Sequence, residues 1–150
     1  MSTDNITTLG EVTVEILERF AFMLGDPTEE KTAPALPAAA WMATMQFIGP
    51  RRGTLGLATT AAFAHSMAAN LFGREPGEVN DEEAADALKE FLNVTCGDYL
   101  HELEGNEPIY DLSAPVVVPA DRAALQARLA GRPQFALNVE GQPLFVFLGD

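Results

Sequence analysis

The spacing of apolar residues changes several times along this chain of 150 residues, and the order of those changes restricts the fold more than any other feature. Apolar residues recur at steps of three and four over residues 9–24, which predicts an amphipathic helix that Gly25-Asp26-Pro27 ends. Residues 41–48 and 54–60 instead alternate apolar with smaller or polar side chains. This alternation predicts two strands joined by a hairpin loop.

Two further helices are predicted in the middle of the chain. Residues 60–72 are rich in alanine and carry one apolar stripe. Asn80, followed by Asp81-Glu82-Glu83, supplies an N-cap and an acidic first turn, and both are typical of a helix start. We expect this third helix to run to about residue 103, where Gly105-Asn106 ends it.

The last third of the chain returns to short extended segments. Two short extended pieces are predicted at residues 109–112 and 115–118, and a short helix is predicted at residues 121–129. Residues 135–139 and 144–148 are predicted to pair as a final hairpin. The order of helix, two strands, two helices and then strands predicts an α+β fold with a mainly antiparallel sheet and long helices packed on it. Since no stretch has the composition of a linker, we expect a single domain over residues 1–150.

Charge and cysteine content exclude several classes of function. The chain has 9 basic and 22 acidic residues, a formal net charge of −13, which disfavours binding to nucleic acid or anionic membrane. Cys96 is the single cysteine, so an intramolecular disulfide and a multi-cysteine metal site are excluded. No apolar run reaches the ~20 residues of a membrane span, and residues 1–8 lack the features of a secretory signal. We therefore expect a cytoplasmic protein.

The third predicted helix presents an unusual polar face. Asp86, Glu90, Asn93 and Gly97 follow one another at steps of four, three and four, which places them within ~60° on one side of the helix. A solvated helix face in an acidic protein is the alternative interpretation. Against it, asparagine is a mediocre helix former, and an interior glycine costs about 1 kcal/mol relative to alanine. The opposite arc should pack on the sheet and contains Ala85, Leu88, Leu92, Thr95, Cys96, Tyr99 and Leu103.

This face resembles the active-site pattern of the CheC/CheX/FliY chemotaxis phosphatases. The family pattern is Asp or Ser, three residues, Glu, two residues, Asn, and a proline 23 positions beyond that Asn. Asp86, Glu90 and Asn93 fit it without a gap, whereas Pro115 lies 22 positions after Asn93, which we interpret as a one-residue loop deletion. Because this is the only Glu-x-x-Asn in the chain, the resemblance is to the single-site, CheX-like members.

The resemblance implies a phosphatase that acts on the aspartyl phosphate of a CheY-type response regulator. Asn93 would orient the attacking water, and Glu90 would pair with a lysine of the regulator. Asp86, Gly97 and Pro115 would support the site or its contact with the partner. The regulator would supply the Mg²⁺, so no cofactor or metal site of the chain's own is expected. The alternative function is a non-catalytic CheX-like module that binds a receiver domain or another signalling partner.

Other chemistry-bearing residues are expected to have structural roles. His65 and His101 lie on different predicted helices, and Cys96 falls on the apolar arc as a small buried side chain. The acidic cluster of Glu102, Glu104 and Glu107 lacks the ligand spacing of a divalent-cation loop.

A homodimer is predicted on separate grounds. The strand at residues 144–148 is strongly apolar and near the end of the sequence, so it must be buried either in a core or in a dimer. The family's single-site members also pair through their sheets.

Overall fold

The computed structural model describes residues 3–27, 34–105 and 109–149. Helix α1 covers Thr3–Ala21, so it begins and ends earlier than the predicted residues 9–24. Phe22 adopts a left-handed conformation (φ 56°), and the Met23 amide donates a hydrogen bond to the Leu17 carbonyl at 3.0 Å. These features end the helix, and the prediction that Gly25-Asp26-Pro27 ends it was therefore wrong.

The segment Gly25–Pro27 forms strand β1 instead of a helix cap. It pairs antiparallel with strand β6 (Gln134–Val139), more than a hundred residues further along the chain. Pro27, Pro34 and Pro37 predict an extended loop after this strand, and positions 28–33 of that loop lie outside the described residues.

All strand pairs of the sheet are antiparallel, as the sequence predicted. Strands β2 (Ala39–Ile48) and β3 (Arg52–Thr59) form the first predicted hairpin, and β6 and β7 (Gln142–Gly149) form the last. The described strands lie in the order β1-β6-β7-β3-β2, with β4 (Asp111–Leu112) and β5 (Val116–Asp121) both pairing with the outer side of β2.

The remaining helices match the predicted segments closely. Helix α2 covers Ala61–Phe72, α3 covers Asp81–Glu104 and α4 covers Arg122–Leu129, and a 3₁₀ turn at Pro76–Glu78 joins α2 to α3. An N-cap residue at the start of each of these three α-helices accounts for this agreement. The side chains of Thr60, Asn80 and Asp121 each accept a hydrogen bond from a backbone N–H in the first turn of the helix that follows. None of the helices in the described part of the chain combines the length and apolarity that a membrane span needs.

The two faces of the sheet are covered unequally. Helices α1, α2 and α3 bury one face in a large core that includes Met45, Leu57 and Val146. Helix α4 covers part of the other face, where Leu125 and Leu129 pack with Phe147 in a smaller cluster. Helix α3 is therefore one of three helices on the same side of the sheet, and its outer face is directed away from the sheet.

The apolar strand near the end of the sequence is buried within the fold. Strand β7 pairs with β3 on one side and β6 on the other, and Leu144 and Leu148 are fully buried. The strand was predicted to be buried either in a core or in a dimer, and it is buried in the core. This strand gives no reason for a dimer, because it has no free edge.

Candidate functional site

Helix α3 carries the candidate site and is fixed firmly at its start. The Asn80 side chain accepts a hydrogen bond from the Glu83 amide at 2.8 Å, and the Asn80 amide donates to the Glu83 carboxylate at 3.2 Å. Arg74 also binds the Glu83 carboxylate. This hydrogen bond is the main cause of the lowered pKa of Glu83, and the hydrogen bond from the Asn80 amide lowers the pKa further. This capping box sets where the helix begins, and so sets which residues face outward.

Neighbouring elements hold α3 along its length. The Phe20 ring of α1 packs near the Phe91 ring, with their centroids 6.3 Å apart and their planes at 41° to each other. At the far end, the Arg51 guanidinium in the β2–β3 loop binds the Glu104 carboxylate. A helix anchored at both ends and along one side is a rigid support for side chains that project from the other side.

The inner face of α3 is broader than the predicted apolar arc. Leu88, Leu92, Thr95, Cys96 and Tyr99 are buried as predicted, whereas Ala85 and Leu103 are only half-buried. Four buried residues were not in the predicted arc, and these are Ala84, Ala87, Phe91 and Leu100. They contribute because α3 packs against α1 and α2 as well as against the sheet.

The outer face of α3 presents the four predicted site residues together. Asp86, Glu90, Asn93 and Gly97 are all exposed. Within the described structure, the side chains of Glu90 and Asn93 make no hydrogen bond or ion pair. A carboxylate and a carboxamide one helical turn apart are thus both available to a partner molecule.

A lysine that the sequence analysis did not single out also borders this face. The Lys89 ammonium lies 3.9 Å from the Asp86 carboxylate, three residues earlier on the helix. Both side chains are substantially exposed, so this contact contributes little to stability. The i, i+3 spacing of Asp86 and Lys89 is the sequence signal that could have identified it.

Gly97 leaves open space at the end of the site. A Cβ added to it would meet no atom within 4 Å outside its own helix. The glycine is therefore not required by packing within the described chain. We therefore interpret Gly97 as a position at which a partner molecule can approach the helix backbone closely.

Pro115 lies directly before strand β5, which flanks α3. It is half-buried, and Val117, two residues later, lines a groove together with Ala85 of α3. The structure thus places Pro115 at the entry of the strand beside the helix that carries Glu90 and Asn93.

The remaining candidates occupy structural positions. Cys96 is buried, and burial raises the pKa of its thiol to about 12, so it is a core residue as predicted. His65 hydrogen-bonds Asp81 at 2.7 Å, and His101 is exposed on α3. Glu104 is paired with Arg51, and Glu107 lies outside the described residues. Over the ranges that the structure describes, no three His, Cys, Asp or Glu side chains are grouped to hold a metal ion.

Comparison with known protein families agrees with the resemblance that the outer face of α3 suggested. A family model described as "Chemotaxis phosphatase CheX" matches residues 41–139, which include helix α3 and strand β5. No curated protein sequence matches the chain.

Several solved structures share the whole fold at low sequence identity. CheX from Vibrio vulnificus has 17% identity and a TM-score of 0.76, covering 99% of this chain and 98% of that protein. CheX from Desulfovibrio desulfuricans has 15% identity and a TM-score of 0.70, with 97% of each chain covered. The CheX–CheY–BeF3–Mg²⁺ complex from Borrelia burgdorferi matches with 14% identity and a TM-score of 0.71, covering 99% of this chain and 98% of that one.

Proposed function

Because the chain belongs to the CheX family of chemotaxis phosphatases, we propose that it hydrolyses the aspartyl phosphate of a CheY-type response regulator. The observation that carries this proposal is the exposed pair of Glu90 and Asn93, whose side chains have no partner among the described residues and lie on a rigidly held helix. The complex of a CheX with CheY, BeF3 and Mg²⁺ from Borrelia burgdorferi supports the choice of partner.

Asn93 is the proposed catalytic residue. Its carboxamide both accepts and donates hydrogen bonds, so it can hold a water in line with the phosphorus without adding charge beside the phosphoryl group. The water oxygen forms the new bond to phosphorus while the bond to the aspartyl oxygen breaks. The products are inorganic phosphate and the free aspartate of the regulator, and a proton of the water passes to the phosphate. Fixing the water removes most of the entropic cost of a bimolecular attack.

Glu90 is proposed to anchor the regulator rather than to react. Its carboxylate has no partner in the part of the chain that the structure describes, and it lies one turn before Asn93, where it can bind the active-site lysine of the regulator. The phosphoaspartate and the Mg²⁺ belong to the regulator in this proposal, so the phosphatase needs no cofactor of its own.

Asp86, Gly97 and Pro115 are proposed to support this arrangement. Asp86 extends the acidic face and lies near Lys89. Gly97 leaves room for the backbone of the regulator, and Pro115 shapes the entry to β5.

The test is phosphate release from a phosphorylated CheY-type receiver in the presence of Mg²⁺. We expect Asn93→Ala to lower the acceleration by about 100-fold or more while receiver binding is retained. Glu90→Ala should lower kcat/KM by about tenfold or more through weaker binding. Glu102→Ala, which removes an exposed carboxylate elsewhere on α3, is the matched control and should behave as the wild type.

Two results would contradict the proposal. If receivers bind without any acceleration of phosphate release, the protein is the non-catalytic module that forms the alternative. If Asn93→Ala retains full activity, the water is not oriented by this residue.

The homodimer is proposed on a different surface from the one that the sequence suggested. Ile48, Val116 and Val118 are exposed apolar side chains on the face of the sheet opposite α3, beside α4. We expect light scattering at micromolar concentration to give the mass of a dimer, and Val118→Glu to give a monomer. A monomeric wild type would refute this proposal. The function also implies a cytoplasmic location, where phosphorylated receivers act.

A further inference from the structure

A groove of about 360 Å³ lies between the first turns of α3 and the edge strand β5. Apolar side chains form most of its wall, and two carboxylates stand beside them. The lining residues are Trp41, Asp81, Glu82, Ala85, Val117 and Pro119. The groove is on the helix side of the sheet, because Trp41 and Val117 both pack against the core that α3 covers.

Trp41 forms the aromatic part of the groove. It is half-buried, and the strand register places it opposite Pro119 of β5. The His65 ring lies beside it, with centroids 6.0 Å apart. A tryptophan and a proline at one site provide a flat apolar surface against which an alkyl stem or a cation can pack.

The three acidic residues in the first turn of α3 have different partners. Asp81 is hydrogen-bonded to His65, and Glu83 is bound by Arg74 and by the capping box. Glu82 is exposed, and its carboxylate has no partner among the residues that the structure describes. It is therefore the acidic side chain of this turn that is free to bind another molecule.

Glu82 also continues the proposed site face toward the helix start. Glu82, Asp86 and Glu90 follow one another at steps of four, so they lie on the same side of α3. At 1.5 Å per residue, Glu82 is about 12 Å from Glu90 along the helix axis. A receiver that contacts Glu90 and Asn93 can thus reach the groove with the same surface.

We propose that this groove binds a lysine or arginine side chain of the phosphorylated receiver and so contributes to the choice of receiver. The alkyl stem packs on Trp41 and Pro119, and the charged end pairs with the Glu82 carboxylate. The occupant is basic because the groove combines an aromatic wall with free negative charge, whereas a phosphate or an acidic side chain would be repelled. This inference rests on the proposed function, since the receiver is the partner in both.

The proposal makes a geometric demand on the receiver. Its surface must present a second basic residue about 12 Å from the lysine that Glu90 binds. Receivers that have a neutral or acidic residue at that position should be poorer partners.

The binding experiment uses a tryptophan-free CheY-type receiver activated with beryllofluoride and Mg²⁺. Since Trp41 is the only tryptophan of the chain, its fluorescence should change on binding. We expect Glu82→Gln to raise the Kd about three- to tenfold and to raise KM similarly, with kcat unchanged. Glu102→Gln makes the same charge change on the same helix outside the groove and should leave both constants unchanged.

A second variant and a receiver variant identify the occupant. Trp41→Phe keeps an aromatic ring in the half-buried position, and titration calorimetry should show weaker binding for it as well. Neutralising the matching basic residue of the receiver should weaken binding to the wild type but not to Glu82→Gln. If neutral and basic receiver residues bind equally well, the occupant is not basic and the proposal is wrong.

The two proposals fail in different ways. Unchanged Kd and KM in Glu82→Gln and Trp41→Phe would overturn the groove proposal even when Asn93→Ala abolishes catalysis. Binding that depends on Glu82 without any acceleration of phosphate release would support the groove and overturn the phosphatase. A complete lack of receiver binding would overturn both.

Discussion

The phenyl ring of Phe147 lies directly against Gly56, so that a Cβ placed on the glycine would overlap the ring. The two residues are partners in the register of β3 and β7, at the centre of the sheet. Phe147 is fully buried in the cluster under α4, and the Arg128 guanidinium lies 5.7 Å from its ring centroid. The missing side chain of Gly56 is thus what allows an aromatic residue to fill this part of the core.

Gly56→Ala should therefore destabilise the protein. The added methyl group must displace the Phe147 ring or the strand, and overpacking of this kind costs about 1–3 kcal/mol. Urea unfolding measures the loss. The double variant Gly56→Ala, Phe147→Leu should recover part of it, and strict additivity of the two single changes would show that the contact is not the cause.

Gly97→Ala should have the opposite effect on stability. Its Cβ would enter open space, and alanine is favoured over glycine within a helix by about 1 kcal/mol. Receiver binding should nevertheless weaken, because the methyl group occupies the space proposed for the partner. Unfolding and binding measured on the same variant separate the two effects, and unchanged binding would remove Gly97 from the site.

Phe22→Gly should stabilise the protein by about 1 kcal/mol, because glycine adopts the left-handed conformation without a Cβ clash. Phe22 has a φ of 56° and is 71% exposed, so little packing is lost with its ring. Thermal unfolding measures the change. Phe22→Ala removes the ring but keeps the Cβ, and it should not reproduce the gain.

Stability should fall as the pH rises from about 9 to 12. Burial raises the pKa of Cys96 from 9.0 to about 12 and that of Tyr99 from 10.0 to about 12. Between these values the unfolded chain releases protons that the folded chain retains, so alkaline conditions favour unfolding. Below about pH 8 both groups are almost fully protonated in both states and contribute little pH dependence.

Urea unfolding at pH 8 and pH 10 tests this dependence. Cys96→Ala lowers stability at both pH values by leaving a cavity, but it should also reduce the difference between them. An unchanged difference would show that the thiol does not titrate as its burial requires.

Local signals in the sequence predicted most of the helices and strands. Thr60, Asn80 and Asp121 are N-caps where the pattern placed helix starts, and both hairpins form at the residues where they were predicted. The exposure of Glu90 and Asn93 on one helix face was also predicted. These features depend on residues within a few positions of one another, so the sequence displays them directly.

The end of α1 and the place of β7 could not be predicted in this way. Gly25–Pro27 has the composition of a turn, yet it pairs with β6 because tertiary contacts bring that strand beside it. The apolar pattern of residues 144–148 predicted burial but left open whether a core or a dimer provides it. Strand β7 is buried in the core because it pairs with both β3 and β6. Strand order depends on how complete faces pack together, and short-range patterns carry little information about it.

The sequence by itself determined the polar face of α3, because helical periodicity and the cap at Asn80 fix which residues share a side. Only the tertiary structure decided what lies next to that face. The groove joins Trp41, Ala85 and Val117 from two strands and a helix, and these residues are far apart along the chain. Their meeting follows from the pairing of β5 with β2 and the packing of α3 on the sheet, which are set by burial of apolar surface over the whole core.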